Sequence, residues 1–338
     1  MAPLKKCVES SGPSYSSMCV SSCLAGVMGR LACHPLDTVK ARLQAPGRQA
    51  RHGVGSALRS MLSKEGVWGL YRGFPAVLVG GAPATCIYLT SYEVSKSTML
   101  QSKDGSGLFR HLPVWSIHLA CGMFAETVAC VVFVPVDVVK ERLQVQEAPS
   151  PTQTVASERP LYKNSLDALR VITTTEGLKG IYRGYGATLA SFGPFSALHF
   201  MIYEQLKDAV LSRSLPWSTP GNSHKNAKGE VSPGLALACA SMSSSAAAWL
   251  TSPLDLVKLR MQVARGAESG ATKPGGLPPP PPQQYPTSMV QSLKHIGRTE
   301  GAAGLWRGAL ARVIFTAPHT AIVMATYEHF SKSLAQEN

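Results

Sequence analysis

Pro35-Leu36-Asp37-Thr38-Val39-Lys40-Ala41-Arg42-Leu43-Gln44 decides how this chain is read, because it occurs three times. Pro135-Val136-Asp137-Val138-Val139-Lys140-Glu141-Arg142-Leu143-Gln144 repeats it, as does Pro253-Leu254-Asp255-Leu256-Val257-Lys258-Leu259-Arg260-Met261-Gln262. Proline, aspartate, lysine, arginine and glutamine keep identical offsets in all three copies, so the chain is a triplicated unit. A second signature follows each copy: Glu65-Gly66 to Arg72-Gly73, Glu176-Gly177 to Arg183-Gly184, and Glu300-Gly301 to Arg307-Gly308. Each unit then closes on Tyr92-Glu93, Tyr203-Glu204 or Tyr327-Glu328, with Pro83, Pro194 or Pro318 ten residues before the glutamate.

The stretches between these marks read as helices. In the first unit a long helix rich in small residues runs from about Tyr15 to Leu43, and Ala25 and Gly29 form a small-xxx-small pair that lets membrane helices approach closely. A short amphipathic helix near Val54 to Lys64 and an apolar stretch from Phe74 to about Thr90 follow. The same parts recur, giving six long helices and three short ones. The expected division is a tail (1–14), three repeats (15–100, 101–211 and 232–338) and a polar linker (212–231). From the motif proline to the Glu-Gly pair takes 30, 41 and 47 residues in the three units. The excess falls in Glu147–Pro160 and in the Gly-Pro tract Gly275–Pro282, expected as flexible or polyproline loops.

Composition points to a membrane. Hydrophobic residues make up 45% of the 338 and charged ones only 16%, with a formal net charge of +13. The basic residues are spread between apolar stretches, with no basic-aromatic cluster of the kind that binds single strands, so nucleic acid is not an expected partner. None of the long helices is a clean apolar run. Acids, lysines and prolines interrupt them, and within a membrane such residues face a bundle interior or a water-filled cavity. The first loop carries Arg42, Arg48, Arg51, Arg59, Lys64 and Arg72 against the single acid Glu65, which assigns the short helices to the negative side. None of the eight cysteines belongs to a Cys-x-x-Cys pair, and most lie in apolar runs, where they read as packing residues. The N-terminus has neither a secretory core nor an Arg-rich presequence.

The triplicate Pro-x-Asp-x-x-Lys-x-Arg, each followed by Glu-Gly-x4-aromatic-Arg-Gly, resembles the mitochondrial carrier family over about Tyr15 to Lys332. That resemblance implies an all-α membrane fold of six tilted transmembrane helices with threefold pseudosymmetry. It also implies the inner mitochondrial membrane, three short helices on the matrix side, a monomer, cardiolipin contacts, and no cofactor. Physically, each proline turns the last turns of an odd helix toward the common axis. Asp and Lys three apart share a face, so three such ends can form a ring. The resemblance assigns the pairs Asp37–Lys140, Asp137–Lys258 and Asp255–Lys40 to a matrix gate braced by Gln44, Gln144 and Gln262. It assigns Glu93–Lys207 and Glu328–Lys96 to the opposite gate, where Glu204 faces Ser331 instead of a lysine.

Unrepeated polar residues are the candidates for substrate. Arg30 lies seven residues before Asp37, and Glu126 lies eleven before Asp137, within about 20° on the wheel. Their counterparts are small: Cys130 and Ala248 for Arg30, Gly26 and Ser244 for Glu126. The two either bind a zwitterion or pair with each other. By resemblance, the even-helix contact points are Gly80 and Gly81, Ser191 and Phe192, and Phe315 and Thr316, with Tyr88, His199 and His319 one or two turns on. None of the contact-point residues is charged, unlike carriers that grip anions with arginine. Two histidines could ligate a metal.

Glu126 to Cys130 with Val134-Pro135 looks like S-adenosylmethionine carriers. Pro194-Phe195 with His199-Phe200, and Ala311 to Ile314, look like mitoferrins. The expected function is alternating-access transport of a small organic zwitterion or cation, S-adenosylmethionine-like. Iron or another divalent metal is the alternative, and a degenerate adaptor or proton leak the third. No nucleophile–base pair or phosphate loop suggests an enzyme.

Overall fold

A computed structural model describes residues 15–46, 53–104, 114–146, 162–211, 233–264 and 288–336. The tail, the polar linker, Arg48, Arg51, and all of Glu147–Pro160 and Gly275–Pro282 lie outside the described residues.

The first repeat is α1 (Tyr15–Gln44), α2 (Val54–Leu70) and α3 (Phe74–Asp104). The second is α4 (Val114–Val145), α5 (Ser165–Ile181) and α6 (Tyr185–Leu211). The third is α7 (Pro233–Leu250), α8 (Ser252–Val263), α9 (Met289–Thr299), α10 (Gly301–Leu305) and α11 (Ala309–Gln336).

The expected single helix of repeat three is therefore two. In α1 and α4 the helix runs through Pro35 and Pro135, but it breaks at Thr251, two residues before Pro253. Proline withholds an N–H from the ladder. Here, in addition, Thr251 and Ser252 donate their hydroxyls back to the Ala247 and Ala248 carbonyls, an arrangement that bends helices. Cys33-His34 and Phe133-Val134 occupy those positions in the other repeats and have no hydroxyl to offer.

Each Glu-Gly pair also bends the chain. Gly66, Gly177 and Gly301 all take positive φ (66°, 64° and 76°), which turns the short helix into a final half-turn. That left-handed geometry is open to glycine at no steric cost.

The long helices close a ring in the order α1, α3, α4, α6, α7–α8, α11, and the last turns of α1, α4 and α8 also meet one another. Ala25 is fully buried, and a Cβ on Gly29 would fall 2.5 Å from Val323 Cγ2, so the small-residue face of α1 seats α11. Each repeat packs its short helix under its odd helix. Val39 and Leu43 meet Ala57 and Met61; Val138, Val139 and Leu143 meet Ala168 and Ile172; Leu256 and Val257 meet Ile296. Each buried valine, leucine, isoleucine or methionine among them contributes about 1.5–3 kcal/mol.

The outer faces are apolar too. Val20, Leu24, Met28 and Leu31 are exposed along one stripe of α1, as are Phe124 and Val131 on α4. Stripes of this kind fit hydrocarbon better than water. Among the described residues, Phe74–Met99, Ser116–Val145 and Gly301–Ser331 are long and apolar enough to cross a membrane.

Candidate functional site: a closed ionic ring beneath a central cavity

The ends of α1, α4 and α8 bring three aspartates and three lysines to one level. Lys140 Nζ lies 2.6 Å from Asp37 Oδ2, Lys258 Nζ 2.9 Å from Asp137 Oδ2, and Lys40 Nζ 2.8 Å from Asp255 Oδ2. Each acid thus takes the lysine of the next repeat, and the ring is closed. Two of the three glutamines reach it. Gln144 Nε2 donates to Asp37 Oδ2 at 3.4 Å and to Thr38 Oγ1 at 3.0 Å, and Gln44 Nε2 donates to Asp255 Oδ2 at 3.4 Å. Gln262 is fully buried with neither end of its amide bonded. Asp255 holds a second cation, Arg312 Nε at 3.4 Å; Arg312 also donates to the Ala248 carbonyl.

A second ring lies just beyond. Arg42 forks onto Glu65 at 2.6 and 2.8 Å, Arg142 onto Glu176 at 2.5 and 2.9 Å, and Arg260 onto Glu300. Their Nε atoms run round the axis, donating to the Gln144, Gln262 and Gln44 carbonyls in turn. Arg72, Arg183 and Arg307 approach the same three glutamates. The hydrogen bonds from Arg260 hold the Glu300 carboxyl below the ordinary carboxylate range. Both members of each fork recur in all three sequence repeats, so the signal was present; only their contact was not.

The glycine of each Arg-Gly closes the approach. Gly73 has φ 80°, and a Cβ there would lie 3.0 Å from the Lys140 carbonyl oxygen; Gly184 and Gly308 stand likewise against Gln262 and Gln44.

At the other end the even helices stand apart. Glu93 pairs with Lys96 of its own helix at 3.7 Å and Glu204 with Lys207 at 3.8 Å. The expected Glu93–Lys207 and Glu328–Lys96 pairs are not made, and Glu328 has no ion pair among the described residues. The exposed glutamates at this end take the nearest lysine, one turn away on their own helix.

Between the two ends, a cavity of about 200 Å³ sits on the ionic ring. Its lining adds Arg30, His34, Phe315, His319 and Glu141 to the ring residues. Phe315 stacks on His319 with centroids 5.2 Å apart, and Lys40 Nζ lies 5.9 Å over the Phe315 ring. Arg30 has no carboxylate partner among the described residues. Glu126 is not on this lining and is bonded instead by Cys130 Sγ at 3.5 Å, so Arg30 and Glu126 form no ion pair.

The even-helix candidates divide. Gly81 is open, whereas a Cβ on Gly80 would fall 2.1 Å from Val136 Cγ2, which places Gly80 against α4. Ser191 donates to the Ala187 carbonyl at 2.7 Å and Thr316 to the Arg312 carbonyl at 2.7 Å. Phe192 meets Tyr88 edge-on at 6.5 Å, and Tyr88 stacks on Tyr92 at 6.3 Å. His199 Nδ1 is held by Ser243 Oγ at 3.0 Å beside Phe195. No group of three His, Cys, Asp or Glu side chains suited to a metal occurs among the described residues.

His34 and Glu141 were not foreseen. Glu141 donates nothing to symmetry, since Ala41 and Leu259 hold its place elsewhere. One carboxylate oxygen lies 3.4 Å from Lys140 and the other is buried without a partner.

Residues 11–103, 112–214 and 229–338 match the family model described as mitochondrial carrier protein. Mitochondrial substrate carrier family protein E of Dictyostelium discoideum is 31% identical over 90% of this chain and 91% of its own. Mitoferrin-1 of Rattus norvegicus is 28% identical over 96% and 85%, and the mitochondrial S-adenosylmethionine carrier protein of Danio rerio 28% identical over 95% and 98%.

Proposed function

The chain belongs to the mitochondrial carrier family, a family of solute transporters, and from that premise we propose that it carries a small organic zwitterion or cation, S-adenosylmethionine-like, across the inner mitochondrial membrane. The observation that carries this reading is Arg30: a guanidinium on the cavity wall, unrepeated, and in no ion pair among the described residues. A planar, always-charged donor in that position suits a substrate carboxylate. Phe315 supplies an aromatic face for the cationic part of the same molecule, and Gly81, Tyr88 and Phe192 supply neutral or aromatic surface above. Glu126, three turns before Asp137 on the same helix, is the acid such a cation would meet on its way to the ring.

Transport follows from the two ends. The Asp–Lys ring with its glutamines is the matrix gate, and Glu93, Lys96, Glu204, Lys207 and Glu328 belong to the gate on the intermembrane side. Each Asp–Lys pair is partly buried, where attraction and desolvation nearly cancel, so substrate binding can tip the ring open. The protein works as a monomer among inner-membrane lipids, cardiolipin included.

The test is uptake of labelled S-adenosylmethionine into liposomes containing the purified chain. Arg30→Gln is expected to reduce uptake at least tenfold while the melting midpoint moves by less than a degree or two, a loss of about 1.4 kcal/mol or more in binding. Unchanged uptake in that variant defeats the reading.

Iron is the second reading. His34 and His319 line the same cavity, and relatives named mitoferrin align over nearly the whole chain. Ferrous uptake that survives Arg30→Gln and fails in His319→Ala or His199→Ala would establish it. The closed ring argues against a third reading as an adaptor or proton leak.

A further inference from the structure

We propose that Cys23 and Cys86 form a reversible modification site, an oxidisable dithiol that ties α1 to α3 beside the cavity. Their sulfurs lie 3.6 Å apart although the residues are 63 apart in sequence and on different helices. Cys23 Sγ also reaches the Ala82 carbonyl at 3.7 Å, so the two helices already meet at this point. Both side chains are partly exposed, whereas Cys33, Cys121, Cys130 and Cys239 are buried. Cys121 lies against Met99 Sδ at 3.5 Å, and Cys130 is engaged by Glu126. Cys23 stands seven residues before Arg30 and fourteen before Asp37, so it shares their face of α1, about 21 Å from Asp37 along the helix. Cys86 is likewise two turns before Glu93. The pair therefore sits on the Arg30 side of α1, on the side of Arg30 away from the ionic ring.

A disulfide needs its sulfurs about 2.05 Å apart, so roughly 1.5 Å must be closed, within the reach of small χ1 changes on both residues. The oxidant is a small-molecule disulfide such as glutathione disulfide. One cysteine, as thiolate, attacks it, breaking its S–S bond, forming a mixed disulfide and releasing one small thiol. The second cysteine, as thiolate, attacks the protein sulfur of that mixed disulfide and expels the second small thiol. Two electrons pass from the cysteine pair to the reagent, and the two cysteine protons end on the two released thiols.

The link has a mechanical consequence, which rests on the alternating-access reading. Forming the even-helix pairs would require the Glu93–Lys96 turn of α3 to move toward the axis relative to α1. A covalent tie two turns below that turn restrains the movement and holds the carrier with its ionic ring shut.

Purified full-length protein is incubated with glutathione disulfide, digested without reduction, and its peptides are mapped by mass spectrometry. The expected product joins the Cys23 and Cys86 peptides, is lost on reduction, and is absent in Cys23→Ser and in Cys86→Ser but present in Cys33→Ser. Glutathione left singly on either cysteine, a Cys19–Cys86 link, or no reaction overturns the site. This mapping needs no substrate, so it stands or falls apart from the proposed cargo. In liposomes that take up S-adenosylmethionine, oxidation is expected to cut uptake at least fivefold in the unaltered chain, reversibly, and to leave Cys86→Ser unaffected. A mapped link with undiminished uptake overturns the restraint.

Discussion

At the scale of single residues, the repeats separate general machinery from what is particular to this chain. Glu141 is the plainest case: a fourth carboxylate among three balanced Asp–Lys pairs, with one oxygen buried and unbonded. A buried charge without full hydrogen bonding costs stability. Glu141→Gln keeps the shape and removes the charge, and is expected to raise the melting midpoint by the equivalent of about 1 kcal/mol. A lower midpoint in a thermal-unfolding scan would show that Lys140 depends on this acid. Gly73 predicts the opposite sign. Its φ of 80° is strained for any other residue, and the atoms a Cβ would meet are backbone atoms of Lys140, which cannot swing aside. Gly73→Ala is expected to cost about 1–3 kcal/mol, visible as a lowered midpoint.

At the scale of elements, the two rings differ in what they are for. The arginine of each fork is almost wholly enclosed, with Arg142 only 2% exposed, while Lys258 of the ionic ring is 21% exposed. Removing one partner of an enclosed pair strands the other charge, at about 3–5 kcal/mol; a pair still one-fifth exposed costs less. Arg142→Ala should therefore unfold several degrees below Lys258→Ala in the same detergent. The fork ring holds short helices to odd helices, whereas the ionic ring is the part proposed to open. The forks also carry an acid dependence. Glu300 has its carboxyl held below the ordinary range by Arg260, so the stabilisation is present above the unfolded-state value and is lost as pH falls through the folded one. The midpoint is expected to drop on acidification, and Glu300→Gln to flatten part of that drop. Equal acid slopes in the two proteins would assign the effect to other carboxylates.

At the scale of the whole molecule, closed and open ends are two parts of one state. The Asp–Lys ring is made, the pairs between even helices are not, and the cavity lies between them. On the alternating-access proposal, such a state opens the cavity to one side only. Exchanging the charges of one pair tests the ring as a device. Asp37→Lys alone is expected to abolish uptake, and adding Lys140→Asp to restore at least a tenth of it. Failure of the exchanged pair to recover anything, with folding intact, would mean that Asp37 and Lys140 serve something other than each other.

The division between sequence and structure follows these scales. Threefold repetition, helical class, the shared face of each Asp and Lys and the inward-facing position of Arg30 were legible in the sequence, because periodicity fixes which side chains share a face and symmetry multiplies the signal by three; which Asp takes which Lys came from the family resemblance. Only the tertiary structure decided which faces meet. It alone placed Arg42, Arg142 and Arg260 on the three glutamates, set Arg30 apart from Glu126, gave His199 to Ser243, and broke the third odd helix at Thr251. It also brought Cys23 to Cys86. Those are contacts between helices far apart in the chain, chosen by packing distance and by which polar group finds a partner first, and no local pattern encodes them.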